Sequence, residues 1–168
     1  MSMKIEIVNA NVQMCKELAL IKRQVWESTY RGIYPDIKFD DFNVDNETEK
    51  FVNMLNNPKS SLYVALVDNK IVGYMAIGKS PRRIDVDYEE IVLLYILKDF
   101  QGLGIGKQFF DIAKEKLKKQ NTDYFIVYCN KYNYNAQNFY KKMGCEVISV
   151  DDDNIDKSLP QIKFIYRY

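Results

Sequence analysis

Histidine is absent from the 168 residues. That removes every Ser–His or Cys–His nucleophile pair and every imidazole-bound metal, and leaves carboxylates, tyrosines and water to move protons. Cysteine is scarce and odd in number. Cys15, Cys129 and Cys145 show no metal-ligand spacing and sit in apolar segments, so they read as free thiols of a reducing compartment, with a cytoplasmic location expected. No run approaches the roughly 18 uninterrupted apolar residues of a membrane span, and the first residues lack a signal peptide's apolar core. An excess of one charge is also missing. Lys plus Arg number 24 against 23 Asp plus Glu, and a net charge of +1 argues against a bulk nucleic-acid surface. What is present is apolar content of 47% with 14% aromatics, enough for a packed core in one domain spanning residues 1–168.

Glycine is sparse too, seven in all, yet three of them fall at Gly102, Gly104 and Gly106. Before them, Ile91-Val-Leu-Leu-Tyr-Ile96 has the length and composition of a strand buried on both faces. After them comes an amphipathic helix, with Phe109, Phe110, Ile112, Ala113 and Leu117 inward and Lys114, Lys116, Lys118 and Lys119 outward or at its C-terminal end. A strand, a glycine turn and a helix N-terminus make a site for a phosphate group.

Spacing separates the glycine motifs that could bind one. A P-loop ending at Gly106-Lys107 would need Gly at 101 and Ser or Thr at 108, where Gln101 and Gln108 stand. A dinucleotide fingerprint from Gly102 would need Gly at 107 and finds Lys107. Its acidic residue is missing as well, because Asp123 precedes the next apolar run rather than following it. The spacing that fits is Gln/Arg-x-x-Gly-x-Gly/Ala, here Gln101-x-x-Gly104-x-Gly106. It resembles the acetyl-coenzyme A pyrophosphate loop of the GNAT superfamily of N-acetyltransferases. Two further segments strengthen the resemblance. Asn133-Tyr-Asn-Ala136-Gln-Asn-Phe139-Tyr140-Lys-Lys-Met-Gly144 looks like the family's Asn-x-x-Ala-x-x-Phe-Tyr-x-Lys-x-Gly motif, with Cys145 where Phe is usual. Glu90-Ile91 and Leu94-Tyr95-Ile96 resemble the strand preceding the loop.

The resemblance implies an α/β GNAT fold, a mixed central β-sheet flanked by α-helices, and an enzyme transferring acetyl from acetyl-CoA to a primary amine. The implied cofactor site is the run Gln101, Gly102, Leu103, Gly104, Ile105, Gly106 and Lys107, main-chain atoms near Leu94, Tyr95 and Ile96, and Asn133, whose side chain could equally cap a helix. Because main-chain donors do the binding, a Cβ on the glycines is expected to obstruct the ligand. Tyr140 is the expected acid for the leaving thiolate, with only a modest pKa shift needed, and Glu90 the candidate base, Glu89 facing the other way by strand alternation. Trp26-x-x-Thr29-Tyr30-x-Gly32-x-Tyr34-Pro35 resembles a segment of the bacterial branch that includes polyamine acetyltransferases, so Trp26, Tyr30 and Tyr34 are expected at the acceptor pocket. The partner expected is a small-molecule amine, with no metal, nucleic acid or membrane, and with the chain a monomer or homodimer. The other readings are a protein N-terminal or lysine acetyltransferase and a non-catalytic acyl-CoA sensor.

The remaining chain reads as follows. A strand over Ile5–Val8 precedes a helix capped by Asn9 or Asn11 with Val12, Cys15, Leu18, Ala19 and Val25 inward. Asp36 to Asp45 is acidic and turn-like. A second helix covers 46–55, and a hairpin pairs 61–67 with 71–77 through Asp68-Asn69-Lys70. A strand at 124–129, a helix over 135–142 ended by Gly144, and strands at 147–150 and 162–168 complete it. Strand 162–168 is expected to be exposed and able to pair across a dimer. Asp36, Asp40, Asp41, Asp85 and Asp87 could draw a cationic acceptor, although solvated loops are the plainer reading, and Asp151–Asp153 reads as a surface loop.

Overall fold

The computed structural model describes residues 2–79, 87–118, 122–150 and 159–168. Expectations at Asp85, Lys119 and Asp151–Asp153 lie outside these described residues. In chain order the elements are β1 (Ile5–Asn9), α1 (Cys15–Tyr30), α2 (Ile37–Asp40), α3 (Val44–Asn56), β2 (Ser60–Val67), β3 (Lys70–Lys79) and β4 (Glu89–Ile96). There follow α4 (Ile105–Lys118), β5 (Tyr124–Asn130), α5 (Tyr134–Lys142), β6 (Glu146–Val150) and β7 (Gln161–Arg167). The strands form one mixed sheet in the order β1-β2-β3-β4-β5-β7-β6, antiparallel throughout except between β4 and β5.

Local chemistry accounts for the boundaries. Asn11 accepts a hydrogen bond from the Met14 N–H at 3.2 Å and opens a single 3₁₀ turn before α1. Val12 therefore lies in that turn, 54% exposed, rather than on the helix's inward face. Asn43 caps α3 through the Asn46 N–H at 2.9 Å, so the helix starts two residues earlier than its apolar pattern suggests. Asp68 and Asn69 both take positive φ, 48° and 67°, the two-residue left-handed turn whose twist suits a hairpin. The acidic segment after Pro35 contains the short helix α2 instead of turns alone.

Two apolar layers sandwich the sheet. On one side Phe109, Phe110, Ala113 and Leu117 of α4 meet Met75, Ile77, Ile91, Phe125 and Phe164. On the other, Cys15, Leu18, Ile21 and Val25 of α1 and Phe51 of α3 meet Val64, Tyr74 and Ala76. Strand β7 is interior, hydrogen-bonded to β5 and β6. The expectation that it is a free edge is thereby corrected; the edges are β1 and β6. The reason is the last hairpin, which folds β6 outside β7, so chain order does not give sheet order.

Candidate active site

Strand β4 pairs with β5 at only two positions, Glu90 with Ile126 and Ile91 with Val127. Beyond them the strands diverge, while β4 stays paired to β3 as far as Ile96. A bulge at Val92 lets the register step from Ile91–Ile77 to Leu93–Ala76. Val92 and Leu93 consequently both pack on the α1/α3 layer, and Leu94 and Ile96 on the α4 layer. A cavity of about 1120 Å³ fills the divergence and passes through the sheet. Leu94, Tyr95 and Ile96 line it, and their main-chain edge toward β5 carries no strand pairing. A peptide-like arm fits such an edge as an added strand would.

The glycine turn closes one end. Gly102 and Gly104 have φ of 76° and 83°, a conformation that residues with a side chain rarely adopt. A Cβ built on either meets nothing of the chain within 4 Å, so within the protein their requirement is conformational. Gly106 is helical, and a Cβ on it would sit 3.1 Å from the Phe139 ring. The Gln101 side chain donates to the Ile96 carbonyl at 3.0 Å, tying the turn to the end of β4. Lys107 lines the cavity and pairs with Asp111 at 2.6 Å, while Ile105 is buried beneath the first turn of α4. Leu103 is 38% exposed and lies off the cavity. The free N–H groups opening α4 and the helix dipole suit a pyrophosphate.

The chemical groups lie deeper. Tyr140 lines the cavity from α5, 6% exposed, with its ring against Phe139 and Phe164. Among the described residues nothing is hydrogen-bonded to its hydroxyl. Burial, with Cys129 and Cys145 beside it, pushes the phenol far above its ordinary value, a larger shift than the sequence reading required. Glu90, 3% exposed, lines the cavity one residue before the last β4–β5 pair, Ile91 with Val127. Glu89 points to the other face, where it is buried near Lys79 at 3.9 Å, and desolvation raises its carboxyl. Asn133 caps α5 by accepting from the Ala136 N–H at 3.1 Å. Its amide also donates to the Tyr30 hydroxyl at 3.1 Å.

Aromatic side chains form the α1 wall. Tyr30 and Tyr34 stack at 4.4 Å with rings 3° from parallel, and Trp26 meets both edge-on. The Trp26 indole donates to the Tyr95 hydroxyl at 3.2 Å. Burial pushes both the Tyr30 and the Tyr34 phenols upward, so they stay neutral. The surface carboxylates are placed differently. Asp36 and Asp40 pair with Arg31 at 3.3 and 3.6 Å, Asp87 pairs with Lys79, and none of Asp36, Asp40, Asp41 or Asp87 lines the cavity.

Several wall residues carried no sequence signal. Lys22 and Glu47 join at 2.6 Å across 25 positions, Glu47 being held low by Lys22 and Lys50 despite the opposing effect of burial. Asn130, 2% exposed, accepts from the Tyr132 N–H at 2.8 Å and is close enough to Tyr34 to offset part of the rise that burial causes in its phenol. Phe139, by contrast, stands beside Tyr140 in the motif, and its packing on Gly106 could have been sought there.

Comparison with known proteins agrees with this geometry. The acetyltransferase (GNAT) domain family matches residues 28–159. An uncharacterized N-acetyltransferase from the pepI 3′ region of Lactobacillus delbrueckii subsp. lactis is 27% identical over 146 residues, 83% of either chain. The spermidine N(1)-acetyltransferase of Thermoplasma acidophilum is 25% identical over 154 residues, 89% of this chain and 92% of that one. The crystal structure of the PaiA N-acetyltransferase of Thermoplasma acidophilum in complex with coenzyme A superposes with a TM-score of 0.80 at 22% identity, covering 99% of this chain and 100% of that one. With the glycine turn, the diverging strands and the family match in agreement, the chain belongs to the GNAT family of acetyltransferases, enzymes that take their acetyl group from acetyl-CoA.

Proposed function

We propose that this chain acetylates the primary amine of a small acceptor, of the polyamine class, with Tyr140 as the proton donor to the leaving thiolate and Glu90 as the base. The observation that carries the reading is the buried Tyr140 side chain, its hydroxyl without a hydrogen-bond partner among the described residues, on a cavity whose wall also holds Glu90. The residues present fit acetyl-CoA. The first turn of α4 supplies N–H groups for its pyrophosphate, and the unpaired edge of β4 suits its pantetheine arm. When bound, it supplies an acetyl group on a thiol leaving group.

A primary amine with pKa near 10.4 is mostly charged at neutral pH, an obstacle of about 4.6 kcal/mol at pH 7. Glu90, directly or through water, takes the amine's proton as the C–N bond forms and the C–S bond breaks. Tyr140 donates to the departing sulfur. Its raised pKa keeps its proton in place at working pH, so it acts chiefly as a strong hydrogen-bond donor that shares the proton with sulfur. The polyamine assignment draws support from the spermidine-acetylating relative and from the Trp26–Pro35 segment. Glu90, Glu47 and the faces of Trp26, Tyr30 and Tyr34 are among the groups on the cavity able to attract an ammonium.

The test is thiol release from acetyl-CoA across a panel of polyamines, aminoglycosides, amino acids and short peptides, run beside Tyr140→Phe. Turnover on polyamines, lowered about tenfold or more in the variant, is expected from the loss of an acid catalyst. Turnover only on peptides, or a variant as fast as the parent, overturns the acceptor or the acid respectively.

A further inference from the structure

Asn133 is used twice. Its carbonyl oxygen accepts from the Ala136 N–H at 3.1 Å and starts α5, while its amide donates to the Tyr30 hydroxyl at 3.1 Å across 103 residues of sequence. Helix α5 carries Phe139, whose ring touches Gly106 of the glycine turn, and Tyr140. The last residue of α1 thus grips the residue that sets where α5 begins. The Tyr30 ring is itself fixed by its parallel stack on Tyr34 and its edge contact with Trp26, and Trp26 is bonded to Tyr95 of β4 at 3.2 Å. Both bonds cross from α1 to the walls of the strand divergence, one to β4 and one to α5.

We propose that the Tyr30 hydroxyl is a positioning group for the cofactor half of the site: by holding the Asn133 amide it orients the start of α5, and with it Tyr140 and the α5 wall of the acetyl-CoA cleft. This rests on the reading that acetyl-CoA occupies the divergence, and it gives a residue of the acceptor wall its main effect on the other ligand. An Asn side chain bonded at both ends has one rotamer, whereas with only the cap bond its amide can turn about χ2. Removing the phenol oxygen also leaves a partly buried amide donor without its partner.

Tyr30→Phe keeps the ring, the stack and the Trp26 contact and deletes only the oxygen. In the ligand-free protein, hydrogen exchange at the Ala136 and Gln137 amides is expected to quicken by about 3- to 10-fold, the range set by one net hydrogen bond. Calorimetry with coenzyme A should show a dissociation constant raised by a similar, roughly 3- to 10-fold, factor. The acceptor KM at saturating acetyl-CoA should stay within about twofold. Asn133→Ser retains a capping oxygen on a side chain too short to reach Tyr30 and carries no amide donor. It should reproduce the cofactor effect, and the double variant should be about as impaired as either single one, since the two share one bond. Unchanged exchange in α5, or additive losses in the double variant, overturns the proposal. So does a raised acceptor KM with coenzyme A affinity intact, which would make Tyr30 a direct acceptor contact. The exchange measurement needs no ligand. A parent protein that binds no coenzyme A would sink the functional reading while the exchange arm still judges the positioning role.

Discussion

Burial sets the proton behaviour of the site's side chains. The Tyr140 phenol is pushed well above 10 by loss of water, so it is protonated throughout the usual working range. Turnover should therefore rise with pH as the acceptor amine loses its proton, and Tyr140 should impose no falling limb below about pH 10. The Cys129 and Cys145 thiols, raised from 9.0 to about 12 by burial, add a second reading of the same physics. Their folded pKa lies above the unfolded one, so the neutral thiols contribute stability that is full below about pH 9 and is lost as pH climbs from there through 12. A pH–rate profile beside thermal melts from pH 7 to 11 checks both. A fall in rate near pH 8 without unfolding would contradict the Tyr140 assignment. Glu90 and Tyr140 were legible as residues, because each sits in a motif. The size of the Tyr140 shift was not, because it comes from Phe139, Phe164 and the two thiols packed around the ring.

At the scale of elements, the glycine turn and α5 depend on each other. Gly104 requires its left-handed conformation and nothing crowds its Cβ, whereas Gly106 is helical and crowded by Phe139. Gly104→Ala should lose stability by about 1–2 kcal/mol, from forcing an L-residue into the left-handed region. Gly106→Ala should gain from helix propensity what it partly loses by moving the ring, so its melting temperature should change little while its affinity for coenzyme A falls. Calorimetry with both variants separates a conformational glycine from a packing glycine, and equal stability losses would refute the distinction. The strand–turn–helix order was legible from composition alone. The bulge at Val92 was not, since an all-apolar run gives no alternation from which to read it.

Across the whole molecule, the sheet is continuous except where β4 leaves β5. A ligand that fills that gap binds only the folded chain, and at about 100 times its dissociation constant stabilises it by about 2.7 kcal/mol. For a protein of this size that corresponds to a rise in melting temperature of roughly 5–11 °C. Differential scanning fluorimetry with coenzyme A reads it directly, with adenosine alone as the control. A shift under 1 °C at saturating ligand would argue that the divergence is not the cofactor's place. No helix among the described residues is long and apolar enough to cross a membrane.

Sequence by itself determined the elements whose cause is local: the caps at Asn11, Asn43 and Asn133, the turn at Asp68-Asn69, the glycine turn and the amphipathic α4. Each depends on groups within a few residues of one another, so their chemistry is written in the order of the chain. Tertiary structure decided what requires distant segments to meet. It placed β7 inside the sheet, moved the carboxylates of Asp36 and Asp40 onto Arg31 and away from the cavity, and set Glu47 against Lys22 on its wall. It also joined Tyr30 to Asn133 over 103 positions. Such pairings follow from sheet order and helix packing, which local propensity does not encode.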